Sequence, residues 1–76
     1  MNTDAIKLES TKAVIQGMGQ LIDILNVNSS YGYRYKIDLH DPAASTIEVF
    51  ANDAMDFYAL GLASHELMKK VLIIKR

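Results

Sequence analysis

Apolar positions in the first third of the chain recur at helical spacing. Leu8, Ile15, Met18, Ile22 and Leu25 fall on one stripe with Val14 and Leu21 beside it, which predicts a single long amphipathic helix within residues 4–27. A second reading divides the segment. Ile6 and Leu8 alternate with Lys7 and Glu9 as in a short strand, and Gly17 and Gly19 each cost about 1 kcal/mol in a helix interior relative to alanine. A strand, a glycine-containing turn and then a helix suits those costs better.

From Tyr31 the period changes to two. Tyr31, Tyr33, Tyr35, Ile37 and Leu39 share one side, and Gly32, Arg34, Lys36, Asp38 and His40 share the other. Asp41-Pro42 closes this strand, and Thr46 to Ala51, rich in β-branched and aromatic residues, predicts a second strand that completes a hairpin. A helix then starts at Asn52 as N-cap, with Asp53 and Asp56 suiting its positive end, and stops at Gly61 in a left-handed C-terminal conformation. The run Val71-Leu72-Ile73-Ile74, flanked by Lys69, Lys70, Lys75 and Arg76, predicts a strand buried on both faces. The order is (β)α-ββ-α-β, an α/β (α+β) fold in one small domain spanning residues 1–76.

Length limits the core. A domain of 76 residues buries only about 60% of the surface its unfolded chain exposes. With 50% hydrophobic against 22% charged residues, it carries more apolar surface than such a core easily hides, so self-association as a homodimer or capture of a protein partner is expected. Cysteine is absent from the sequence, which rules out disulfides and thiolate zinc sites. His40 and His65 lack neighbours at metal-ligand spacing, so no metal site is expected. Residues 1–12 contain Asp4 and Glu9 and lack the apolar run of a leader, and no stretch approaches the roughly 20 apolar residues of a membrane span, so the expectation is a cytoplasmic protein without membrane contact. A net charge of −1 argues against nucleic acid as the partner.

Three stretches bear on chemistry: "QGMGQLIDIL" at 16–25, "NDAMDFYALGL" at 52–62 and "ELMKKVL" at 66–72. In this order they resemble the glycine turn and helix, the Asn-x-x-Ala-x-x-(Phe/Leu)-Tyr helix and the closing strand in the C-terminal half of the GNAT superfamily of acyl-CoA-dependent N-acetyltransferases. The resemblance implies a CoA-binding half-fold in which Gln16, Gly17, Met18 and Gly19 seat the pyrophosphate of acetyl-CoA. Glycines let the backbone approach it, and amides at a helix N-terminus donate to it. It further implies that Asn52 hydrogen-bonds the CoA arm and that Tyr58 protonates the departing thiolate as general acid. Glu9 is the candidate base if its strand lines a cleft. Val14 stands where the family carries a basic or amide residue, and the chain has no counterpart of the family's first half.

The same residues have plainer readings. Phe57 and Tyr58 also suit a core, Asn52 a cap, and the two glycines close helix packing. The alternative function is a non-catalytic interaction or inhibitor protein that binds through a tyrosine-faced sheet.

Overall fold

The computed structural model describes residues 4–28 and 31–74. Seven elements follow in order: β1 (Asp4–Ser10), α1 (Lys12–Asn28), β2 (Arg34–Asp38), β3 (Ser45–Ala51), α2 (Ala54–Ala63), α3 (His65–Met68) and β4 (Leu72–Ile74). The class is α+β, and the predicted order of strands and helices holds, except that the stretch 66–72 expected as the closing strand begins in a short extra helix, and the strand itself starts only at Leu72. Lys75 and Arg76, which flank the last apolar run in the sequence, lie outside the described residues.

The strands form one sheet in the order β2-β3-β1-β4, and every pairing is antiparallel. β3 therefore separates β1 from β2, and β1 separates β3 from β4. Each helical crossover skips a strand, which is the split β-α-β topology of ferredoxin-like folds.

Register decides which residues meet. Leu8 faces Ile47, Ile6 faces Val49, and Ile37 and Tyr35 of β2 continue the same rows. These side chains share one cluster with Ile15, Met18 and Ile22 of α1 and Leu60 of α2, so both helices cover the same face of the sheet. The opposite face carries Lys7, Glu9, Thr46, Glu48, Phe50, Arg34, Lys36 and Asp38, the alternate positions of β1, β3 and β2. Strict alternation along β3, buried at every second residue, reflects this one-sided cover.

The first segment divides differently from either expectation. Residues 4–10 are a strand, but Gly17 and Gly19 lie inside α1 rather than in a turn before it. Packing explains the second glycine. A Cβ on Gly19 would stand 2.9 Å from Ile37 Cδ1 and 3.4 Å from Tyr35 Cε1, so its absence lets α1 settle onto β2. Close approach here outweighs helix propensity.

Three local expectations are also corrected. β2 begins only at Arg34, because Gly32 takes φ of +70° and bends the chain ahead of it. Its start is held by Asn26, whose side-chain amide donates to the Tyr33 carbonyl at 2.9 Å and whose Oδ1 accepts from the Tyr33 amide at 2.9 Å. The N-cap of α2 is Asp53, not Asn52: its extended backbone points a carboxylate oxygen at the Met55 amide, 3.0 Å away. Nor does α2 stop at Gly61. It runs to Ala63, and Ser64 closes it with its amide and hydroxyl both donating to the Leu60 carbonyl.

The largest correction concerns β4. It is an edge strand, with Leu72 67% and Ile73 61% exposed, rather than one buried on both faces. A run of apolar residues signals two covered faces only when the strand has neighbours on both sides.

Candidate functional site

The residues expected to seat a cofactor do not form a cradle. Gln16 is exposed on α1, Gly17 is half-buried, and Met18 and Gly19 are buried against the sheet. They lie in the interior of a 17-residue helix. There the backbone amides donate to carbonyls four residues back and are not available to a phosphate. The helix N-terminus lies at Lys12, whose amide donates to the Pro42 carbonyl at 2.9 Å.

The remaining candidates are dispersed. Asn52 is exposed after β3, with its Oδ1 accepting from Arg34 Nη1 at 3.3 Å. Glu9 sits on the bare face of the sheet, in the row with Thr46 and Leu72. Tyr58 lies on the outward side of α2, 66% exposed. Glu9 and Tyr58 thus occupy opposite sides of the molecule, because one alternates with core residue Leu8 and the other stands on the solvent side of the helical layer. An acid and a base acting on one substrate must converge. These two do not.

The tyrosine-faced strand is turned inward. Tyr33 is 4% exposed, its hydroxyl donating to the Asp56 carbonyl, and its ring lies 5.4 Å from that of Tyr31. Tyr35 is half-buried beneath α1, and its hydroxyl donates to the Asp23 carboxylate at 3.0 and 3.1 Å. Burial raises both phenols above the ordinary 10.0; the negative charge of Asp56 adds to it for Tyr33 and the hydrogen bond to Asp23 for Tyr35. The tyrosine side of β2 is therefore core, and Arg34, Lys36 and Asp38 face solvent. Phenols tolerate this side because each finds a partner for its hydroxyl.

The fold also exposes an apolar stripe. Met55, Tyr58 and Leu62 are 68%, 66% and 65% exposed, and their i, i+3, i+7 spacing puts them on one stripe of α2 opposite Leu60. Leu21 of α1 adjoins it: Leu21 and Leu62 share a shallow depression with Leu67, His65 and Glu66, and Gly17 faces Leu67. The helix from Ala54 to Ala63 carries one charged residue, Asp56, away from this stripe. The Phe57-Tyr58 pair does not reveal this stripe in the sequence; the spacing of Met55, Tyr58 and Leu62 does.

Among the described residues, no group of three or more His, Cys, Asp or Glu side chains is placed to hold a metal ion. No helix of the described residues is long and apolar enough to cross a membrane. Compared with family models, curated proteins and solved structures, the chain matches none.

Proposed function

We propose that this chain is a non-catalytic interaction protein that docks onto another polypeptide through the outward side of α2, a second copy of itself being the simplest partner. The exposure of Met55, Tyr58 and Leu62 on one stripe carries this reading. Side chains of this size present roughly 150–200 Å² each when free, so these three offer on the order of 350 Å². That is about half of what one partner contributes to a standard interface of roughly 800 Å². Leu21, Ala54, Ala59 and Ala63 around the stripe supply further apolar surface. A two-fold contact places each patch against its own copy, and an uncharged stripe suits such pairing because no like charges oppose.

The test is sedimentation equilibrium across 1–200 µM with wild type and Leu62→Glu. A concentration-dependent dimer that Leu62→Glu abolishes, with its circular dichroism unchanged, supports the reading. A wild-type monomer at the highest concentration defeats self-docking.

The acetyl-CoA reading stands as a separate proposal, favoured by one observation, the exposure of Tyr58. It requires a seat other than residues 16–19. A rise in melting temperature with acetyl-CoA, absent with acetate, would support it.

A further inference from the structure

We propose that the bare face of the sheet carries a binding site for a small planar aromatic anion, whose ring lies on Phe50 and whose carboxylate or phosphate meets Arg34 and Lys36. A shallow cavity of about 400 Å³, lined by these three residues and Tyr35, lies at the β2 end of that face. The inference does not rest on the α2 stripe, which belongs to the helical layer on the other side of the sheet.

Register sorts the bare face into rows. Arg34 stands directly across from Phe50, Lys36 from Glu48 and Asp38 from Thr46, and β1 continues these rows with Ala5, Lys7 and Glu9. Opposed side chains in such rows start about 5 Å apart. Among the described strand positions of this face, Phe50 is the one aromatic, half-buried although no helix covers it. One aromatic platform beside convergent donors is the make-up of a small-molecule site, and this cavity falls at the lower end of the roughly 300–1,000 Å³ such sites span.

Charge falls unevenly along the same face. Arg34 and Lys36 line the cavity, and among the described residues no carboxylate does. Glu48 is the nearest in register, placed between Lys36 and Lys7, so the two rows around Phe50 hold three cations to one anion. Asp38 and Glu9 stand in the row beyond, and the Asp38 carboxylate accepts from the His40 amide at 2.9 Å. Arg34 is also steadied. Its Nη1 donates to Asn52 Oδ1 at 3.3 Å, which leaves the other N–H donors of the guanidinium for an anion.

One platform takes one ring, and a chain of net charge −1 lacks the positive track along which a nucleic-acid strand runs. The occupant is therefore a small molecule. A free mononucleotide and an aromatic carboxylic acid both carry the required chemistry, a flat ring that stacks and an anionic arm that reaches the adjacent cations.

The test is an amide chemical-shift titration of the full chain with AMP and with 2-naphthoate. Adenosine and 2-naphthylmethanol serve as their uncharged counterparts, with inorganic phosphate and a short oligoadenylate as further probes. Saturable binding of at least one of the two anions below about 1 mM is expected, with shifts centred on residues 34–36 and 48–50 and weakening as salt is raised. The tighter of the two identifies the source. The uncharged counterparts should bind about tenfold more weakly, because the charge-assisted bonds are lost. Phe50→Leu, which keeps an apolar side chain and removes the ring face, and Arg34→Gln should each weaken binding about fivefold with circular dichroism unchanged. Glu48→Gln should tighten it roughly twofold by removing the one nearby anion. Leu62→Glu should bind as wild type does, which keeps this site separate from the α2 stripe. No saturable binding of either anion, an uncharged counterpart or phosphate binding as tightly as the anion itself, or unchanged binding by Phe50→Leu would overturn the site. So would oligoadenylate binding more than about tenfold tighter than AMP, which would make a nucleic-acid strand the occupant.

Discussion

α1 and α2 rest on the same face of one sheet, yet they bury themselves differently. Through most of α1, polarity and burial agree: Ile15, Met18 and Ile22 are fully buried, while Lys12, Gln16, Gln20 and Asp23 face solvent, and the exceptions, Ile24 and Val27, stand exposed near its C-terminal end. In α2, Leu60 is the fully buried side chain, and the solvent side is as apolar as the inner one. A helix apolar all round belongs in an interior. α2 has half of one, and its exposed half is the surface proposed above for docking.

The contrast is broken most directly by truncation. Ile22→Ala should cost about 2–5 kcal/mol in urea unfolding, because it empties a filled site under α1. Leu62→Ala, measured below the concentration at which copies associate, should stay within about 0.5 kcal/mol of wild type, as exposed substitutions do. Equal losses would mean that the α2 stripe is packed in the monomer, and the argument for a docking surface would fail.

Two glycines in α1 sharpen the same comparison at smaller scale. Gly19→Val pushes two methyl groups at Ile37 and Tyr35 and should cost about 1–3 kcal/mol through overpacking. Gly17 has only ordinary contact distance, 3.8 Å, to the methyl carbons of Leu67. Gly17→Ala should therefore stabilise, by up to about 1 kcal/mol, through helix propensity. Melting curves of the two variants run side by side would test both signs. A stabilising Gly19→Val would remove the packing account of why α1 carries glycine there.

The smallest effect is alkaline. Tyr33 and Tyr35 hold their protons more tightly in the folded state than the ordinary 10.0, chiefly through burial. Once the pH passes that value the unfolded chain gives up protons that the folded chain retains, and stability falls. What the neutral phenols contribute is thus fully present below pH 10 and lost as the pH climbs through their raised folded-state values. Urea midpoints from pH 8 to 11.5 should decline from about pH 10. Tyr35→Phe should lose about 1 kcal/mol or less at pH 8 and show a shallower decline. A midpoint unchanged to pH 11.5 would contradict the raised folded-state values of the two phenols.

The order of elements was legible because each period is local: alternation in β1, β2 and β3, and three-to-four spacing in α1. What stayed hidden was non-local. Period two separates the faces of β2 without saying which is covered, and tyrosine, half apolar and half polar, suits either. Only the register with β3 turns Tyr35 inward and Arg34 outward. The run at 71–74 reads the same at an edge as in a centre, so the exposure of Leu72 and Ile73 depended on strand order. Gly17 and Gly19 suggested a turn through their helix cost, and the path of α1 over Ile37 overrode that cost. Asn52 and Asp53 are adjacent capping residues, and nothing local chose between them. The placement of Glu9 and Tyr58 is non-local in the same way: each residue type suits its role taken alone, whereas convergence is a property of the folded chain.

The pairing of β1 with β4 has a consequence for synthesis. Lys7, Leu8 and Glu9 emerge from the ribosome among the first residues of this segment, yet their partners are Ile74, Ile73 and Leu72. β1 is an inner strand, so the sheet cannot close until the last of those residues has left the exit tunnel. Contacts this distant in sequence delay folding, because loop-closure entropy is spent before they form. A nascent chain arrested before residue 70 holds β1 with a bare edge, Leu8 partly uncovered and the Ser10 hydroxyl without the Lys70 carbonyl. Such chains should be recognised by proteases and chaperones until the final strand arrives.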